Sequence, residues 1–161
     1  MKITKLHQSL TEHFTLYEMC IYDPQRIEKY VSKHPGAEVS NYPESDDVVR
    51  NLKTLCTDYL EPLRAHLDAP ITINSGYRSR EYNDLVGGAQ NSRHTLGAAC
   101  DIHCRSAALA TKMAAFFMAR WAQQGVPFDE LIISKRKSVW LHLSFNPSGQ
   151  NRLYVDFKTY R

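Results

Sequence analysis

The sequence has no long apolar run. No stretch approaches the ~20 consecutive apolar residues that a membrane-spanning helix needs. The N-terminal run MKITKLHQSLTEHF also has no apolar core of the kind that marks a secretory signal peptide. We therefore expect a chain that is made in the cytosol, carries no secretion signal and does not bind membranes.

A strong excess of charge is also missing. The 20 basic and 17 acidic residues are interleaved and leave a net charge of only +3, which is too weak to indicate nucleic-acid binding. A mildly basic surface does tolerate anionic polymers such as cell-wall material. The 161 residues contain no repeat, no low-complexity tract and no linker-like shift in composition. We therefore expect one domain, residues 1–161, that acts as a monomer.

Cysteine is sparse, and its spacing disfavours both disulfides and a thiolate metal site. The four cysteines form no CxxC pair. In the run ACDIHC the alternation predicts a strand, on which Cys100 and Cys104 share a face but lie ~13 Å apart, too far to form a disulfide. We expect these two and Cys56 to be small buried hydrophobic residues.

Helix signals dominate the first part of the chain. Thr15 and Glu18 form a capping box that predicts a short helix, and Pro24 suits the start of a second one. Residues 33–44 carry two prolines and a glycine and indicate a loop, so residues 1–44 are predicted to be helices and a loop that pack on the domain. Ser45 then caps a long amphipathic helix that reaches Leu67.

The remainder alternates strands with further helical segments. Helical turns are predicted at Arg80–Val86 and a longer helix at Ala107–Gln124, with Trp121 among its inward residues. The predicted strands are Ile71–Ser75, Ala99–His103, Asp129–Ser134, Val139–Phe145 and Leu153–Phe157. This order predicts an α+β fold with a mainly antiparallel sheet flanked by helices.

Three residues form a candidate metal site. On the strand Val139–Phe145, His142 lies on the face opposite the apolar residues, and Asp101 lies on the equivalent face of its own strand. If the two strands are neighbours, these side chains converge, and His94 reaches them from the preceding loop. Two imidazoles and one carboxylate fill three positions of a tetrahedral zinc site and leave the fourth open for water. Each residue alone also has a purely structural interpretation, and spacing by itself leaves both interpretations open.

The residues around these candidates resemble the zinc D-alanyl-D-alanine carboxypeptidase family, which shares its fold with the hedgehog signalling domain. The motifs that carry the resemblance are SGYRS at Ser75–Ser79 followed by Asn83, VGGA at Val86–Ala89, SRHTLGAACDI at Ser92–Ile102, FDELI at Phe128–Ile132 and WLHLS at Trp140–Ser144. HFTLYEM near the N-terminus and LEPLR at Leu60–Arg64 are similar to short phage and bacterial members. The likeness covers nearly the whole chain.

The resemblance implies a metal and a substrate. His94, Asp101 and His142 would bind one Zn²⁺, and the substrates would be peptidoglycan peptides. A phage-encoded member would reach the cell wall when the cell lyses.

The resemblance also implies roles for the residues around the metal. Arg78 would point into the cleft as a catalytic residue, although a surface salt bridge is the alternative. Tyr77, Ser92 and Trp140 would contact substrate, although Ser92 could equally stabilise the turn before His94.

The chain departs from the family at the general base. Related sequences often carry a glutamate at the end of the strand that begins FDxLI, or an acidic residue or histidine shortly before the last ligand. The corresponding positions here hold Ser134, Val139 and Trp140, none of which can take a proton from water near neutral pH. His103 and Glu130 are possible bases, although Glu130 is expected ~13 Å from Ser134 along the strand.

Two functions follow from this departure. The first is a zinc peptidase that hydrolyses peptidoglycan stem peptides as a D-Ala-D-Ala carboxypeptidase or an endolysin-like enzyme. The alternative is a catalytically impaired zinc-containing domain that binds cell-wall peptides on the same fold.

Overall fold

The computed structural model describes residues 8–43 and 45–159. Residues 1–7, which entered the prediction of a leaderless N-terminus, and Glu44, at the end of the predicted loop, lie outside the described part. The single-domain organisation stays a prediction.

Six α-helices are described, and their caps explain where several of them begin. They are α1 (Leu16–Met19), α2 (Pro24–Lys33), α3 (Asp46–Thr54), α4 (Glu61–Leu67), α5 (Arg80–Leu85) and α6 (Ala107–Gln124). The predicted capping box is present, since Thr15 accepts from the Glu18 backbone N–H and Glu18 reaches back to the Thr15 N–H. A π-helical segment, Leu55–Leu60, joins α3 to α4, so the predicted long amphipathic helix is confirmed as one continuous helical rod.

Five strands form a single sheet. They are β1 (Ile73–Ser75), β2 (Ala99–Cys104), β3 (Glu130–Lys135), β4 (Val139–Ser144) and β5 (Tyr154–Thr159). Their order is β1-β2-β4-β3-β5, and every pair is antiparallel except β3 with β5. The predicted α+β fold with a mainly antiparallel sheet is therefore confirmed.

The hydrophobic core lies on one face of this sheet. The inward strand residues are packed against α6 and the helical rod; they include Cys100, Ile102, Leu131, Leu141 and Leu143. All four cysteines are free and buried, as predicted for Cys56, Cys100 and Cys104. The opposite face of the sheet is left for polar side chains.

The inward position predicted for Trp121 is wrong. The side chain is 44% exposed, whereas Met113 and Phe117 of the same helix are buried. Each four-residue step along a helix overshoots a full turn by about 40°, so the apolar stripe that begins at Met113 has rotated away from the sheet at Trp121. In the described part of the chain, no helix is long and apolar enough to cross a membrane.

Candidate metal centre

Strand register brings two of the candidate ligands together. Asp101 on β2 lies directly opposite His142 on β4, and both side chains point away from the hydrophobic core. Nδ1 of His142 is 2.8 Å from Oδ1 of Asp101. The convergence predicted from strand alternation is therefore present.

A tight turn delivers the third ligand. His94 lies in a 3₁₀ turn (Arg93–Leu96) whose N-cap, Ser92, accepts a hydrogen bond of 3.3 Å from the His94 backbone N–H. Gly97 ends the turn at φ +68°, where a Cβ would also lie 2.7 Å from the Val48 carbonyl oxygen. The buried imidazole bonds the Gly76 carbonyl through Nδ1 at 2.6 Å. Because a carbonyl only accepts, Nδ1 donates, and the lone pair of Nε2 is left for a metal.

The donor set fits one metal ion. Nε2 of His94 is 3.5 Å from Oδ1 of Asp101, and one ligand atom from each of the three residues lies within 4.8 Å of the other two. Two neutral imidazoles and one carboxylate are a common protein contribution to a catalytic zinc site. All three side chains are buried or nearly so, and Asp101 is the one carboxylate among them.

Electrostatics within the cluster keep the carboxylate charged. Burial acts to raise the pKa of Asp101, but the imidazoles of His94 and His142 outweigh it and hold that pKa well below its usual range. Burial acts to lower the pKa of His142, yet its hydrogen bonds to Asp101 and Glu130 raise it to about 9. Burial lowers the pKa of His94 below its usual value. In the metal-free cluster, the His142 imidazole thus holds a proton at the place where a metal cation would bind.

Arg78 contacts the metal cluster directly. Its Nη2 donates to Oδ2 of Asp101 at 2.7 Å, and its Nε donates to Ser75 Oγ at 2.9 Å. The side chain is only 16% exposed, so Arg78 does not form the surface salt bridge that was the alternative expectation for it. Because Arg78 holds Oδ2, Oδ1 of Asp101 is directed towards the two histidines.

The cluster forms part of an open cleft of about 880 Å³. Arg78, Ser92, Trp140 and Ser134 all line it. A second groove of about 460 Å³ adjoins it and shares Arg78, Asp101 and Trp140. The candidate metal site therefore lies between two connected depressions, and Trp140 contributes to both.

Two of the predicted site residues lie elsewhere. Tyr77 is 8% exposed, belongs to the hydrophobic core and is not among the described residues that line the cleft, so its contact with substrate stays a prediction. Its backbone N–H donates to the Met19 carbonyl, which sets this part of the chain beneath the N-terminal segment. His103 is an exposed residue of β2 that lies opposite Trp140 of β4. It is not among the described residues that line the cleft.

Glu130 is closer to the ligands than the sequence suggested. Its Oε2 lies 3.5 Å from Nε2 of His142. The expected separation was measured along β3, from Glu130 to Ser134. The short distance instead runs across the sheet to β4, where Glu130 lies opposite Ser144. Ser144 is two residues from His142 on the same face, and a glutamate can span that diagonal distance.

Sequence reasoning missed the charged network beside Glu130. Asp129 is fully buried and binds Arg93 at 3.0 Å and Arg152 at 2.9 Å, and Arg152 also reaches Glu130 at 3.0 Å. One signal was available, since a carboxylate next to an apolar strand run such as FDELI requires a cationic partner. Arg152 itself carries no such signal, because its partners depend on how the chain returns before β5.

Two imidazoles and a carboxylate converge in a cleft beside a guanidinium, which is the arrangement of side chains that metal-dependent hydrolases use to hold a catalytic ion. The Peptidase M15 family model matches residues 13–144, which is most of the chain. The protein therefore belongs to the Peptidase M15 family, and the resemblance seen in its motifs is confirmed.

A named relative points in the same direction. Over 35 residues the chain is 57% identical to the zinc D-Ala-D-Ala carboxypeptidase of Streptomyces albus G. The match covers 22% of this chain and 14% of that enzyme, so the chain aligns with a small part of that relative's length.

Proposed function

We propose that the protein is a zinc peptidase that hydrolyses peptide bonds in the stem peptides of peptidoglycan. The observation that carries this proposal is the convergence of His94, Asp101 and His142, which each place one possible ligand atom within 4.8 Å of the other two, in a chain of the Peptidase M15 family. The named relative acts on D-Ala-D-Ala and contains zinc, which supports both the metal and the substrate class.

His94, Asp101 and His142 would hold one zinc ion per chain. When bound, zinc supplies a Lewis acid that polarises the scissile carbonyl and makes water a better nucleophile. The Gly76 carbonyl keeps Nε2 of His94 unprotonated, and Arg78 keeps Oδ1 of Asp101 turned inward. These contacts organise the ligands before the metal arrives.

Arg78 and Trp140 are the residues we assign to substrate. The guanidinium stabilises the negative charge that develops on the carbonyl oxygen, or it holds a substrate carboxylate. Trp140 lines both depressions and offers a broad surface to a peptide that crosses the metal site. Ser92 lines the cleft too, but its hydroxyl accepts from the His94 backbone, so we assign it to the turn.

The alternative function is a zinc-containing domain that binds wall peptides without cutting them. Ser134 favours it, because a buried serine hydroxyl lies at the position where the family resemblance implies a glutamate. Of the two candidate bases, His103 lies outside the cleft and Glu130 is engaged by other residues. With no carboxylate free to take the proton from the attacking water, bound peptides would then stay intact.

Digestion of cell-wall material tests the proposal. Purified, zinc-loaded protein is incubated with peptidoglycan and the fragments are identified by mass spectrometry, with Asp101→Ala as the inactive control. We expect new peptide termini that the control does not produce. Wall peptides that bind but stay intact would establish the alternative, and the absence of both cutting and binding would contradict the assigned substrate.

A further inference from the structure

We propose that Glu130 is a positioning residue that holds the His142 imidazole with Nδ1 towards the metal, and that Arg152 and Asp129 hold Glu130 in turn. The proposal rests on the proposed function only in requiring a metal ion at this site. It requires neither peptidase activity nor a particular substrate.

The two nitrogens of His142 face different carboxylates. Nδ1 lies 2.8 Å from Asp101 and Nε2 lies 3.5 Å from Glu130. A carboxylate only accepts, so Glu130 favours the form of the imidazole with a proton on Nε2. That form leaves the Nδ1 lone pair for the metal and makes it a stronger donor.

The other oxygen of Glu130 is also engaged. Arg152 Nη2 lies 3.0 Å from Oε1, while Oε2 faces His142. Both oxygens therefore have cationic or N–H partners, and a proton taken from water would compete with both. This arrangement suits a residue that orients a neighbour better than it suits a general base.

Asp129 holds Arg152, which in turn pairs with Glu130. Its fully buried carboxylate accepts from the Arg152 backbone N–H at 3.1 Å and from that guanidinium at 2.9 and 3.1 Å. It also binds Arg93, which is the residue before His94. A continuous series of ion pairs thus connects the turn that carries one histidine ligand with the carboxylate that orients the other.

The consequence is a measurable contribution to metal affinity. Loss of such an orienting carboxylate typically weakens metal binding by roughly 10–100-fold. Glu130→Ala should show a loss in this range, because Nε2 loses its acceptor. Glu130→Gln should show a smaller loss, because its amide oxygen still accepts although the charge is gone.

Zinc affinity and ring protonation test this inference together. Zinc affinity is measured by competition with a chromophoric chelator, and the ring nitrogens of His142 are assigned by ¹⁵N NMR in the zinc-loaded chain. In the wild type we expect zinc on Nδ1 and a proton on Nε2. The matched control is Glu81→Ala on the exposed surface of α5, which should leave both readouts unchanged.

The outcomes separate this role from others. Wild-type affinity and an unchanged ring pattern in Glu130→Ala would overturn the proposal, as would lost turnover with unchanged affinity, which would identify Glu130 as the base. If Glu130→Ala does not fold, Glu130→Gln gives the same comparison at nearly unchanged volume. A chain that binds zinc in this manner but cuts no peptide would overturn the proposed peptidase function and leave the role of Glu130 intact.

Discussion

Among the single residues of the site, Asp101 contacts both histidines and the arginine. Its Oδ1 faces His94 and His142, and its Oδ2 accepts from Arg78. Sequence reasoning could identify Asp101 and His142 because strand alternation places both on the polar face of the sheet. It could not place Glu130 or Arg152, because those contacts depend on the register between strands and on the path of a loop.

Removal of any one ligand should abolish stable zinc binding. We expect His94→Ala, Asp101→Ala and His142→Ala each to lower zinc affinity severely, because two protein ligands do not hold the ion in a closed tetrahedral geometry. Metal analysis of dialysed protein provides the measurement. Full occupancy in one of these variants would remove that residue from the site.

Arg78→Lys should separate catalysis from metal binding. Lysine cannot reproduce the planar fork that binds Asp101 and the developing oxyanion, so turnover should fall by ~100-fold or more. Zinc affinity should change far less than in the ligand variants. Arg105→Lys, at an exposed position, is the matched control. Unchanged turnover in Arg78→Lys would restrict this arginine to a structural role at Asp101.

Among the elements, β3 carries Glu130 and Ser134, the two residues on which the question of the general base depends. Its register places Ser134 opposite Trp140 and Ile132 opposite His142, on the polar face of the sheet. Most elements could be predicted within one or two residues because their periodicity and caps agree, and α6 is found at the predicted Ala107–Gln124. The π-helical segment and the late start of β1 could not be predicted, since neither leaves a signal in the periodicity or the caps of the sequence.

Ser134→Glu should raise peptidase activity. Ser134 lines the cleft and lies opposite Trp140, so we expect a carboxylate at this position to enter the cleft. General-base catalysis usually contributes ~10²–10⁴-fold, which sets the upper range of the gain. Ser138→Glu, in the exposed β3–β4 turn, is the control. A folded Ser134→Glu variant without gain over an active wild type would mean that the base lies elsewhere.

At the scale of the whole molecule, buried Asp129 links the fold to the site. It joins the start of β3 to the His94 turn and to the chain before β5 through Arg93 and Arg152. Burial acts to raise the pKa of Asp129, but hydrogen bonds from Arg152 and Arg93 outweigh it and lower that pKa from 3.8 to about 2. The charged carboxylate therefore stabilises the folded state.

The free energy of unfolding should fall in acid, between the unfolded and folded pKa values of Asp129. Because the pKa of Asp129 is lower in the folded state, its contribution is complete above the unfolded value and is lost as the pH falls from about 4 to about 2. The contribution is about 2 kcal/mol. Denaturant unfolding at several pH values measures it. Asp129→Asn should flatten the pH dependence in this range, whereas exposed Asp84→Asn should retain it; equal slopes in both would contradict the assignment.

The central claim is that this chain uses bound zinc to hydrolyse wall peptides, and hydrolysis of a defined muropeptide in H₂¹⁸O tests it most directly. We predict that the zinc-loaded protein releases a product with one ¹⁸O in the new carboxyl group, and that chelation or His142→Ala prevents this. An intact muropeptide after prolonged incubation with protein that carries one zinc per chain would contradict the claim.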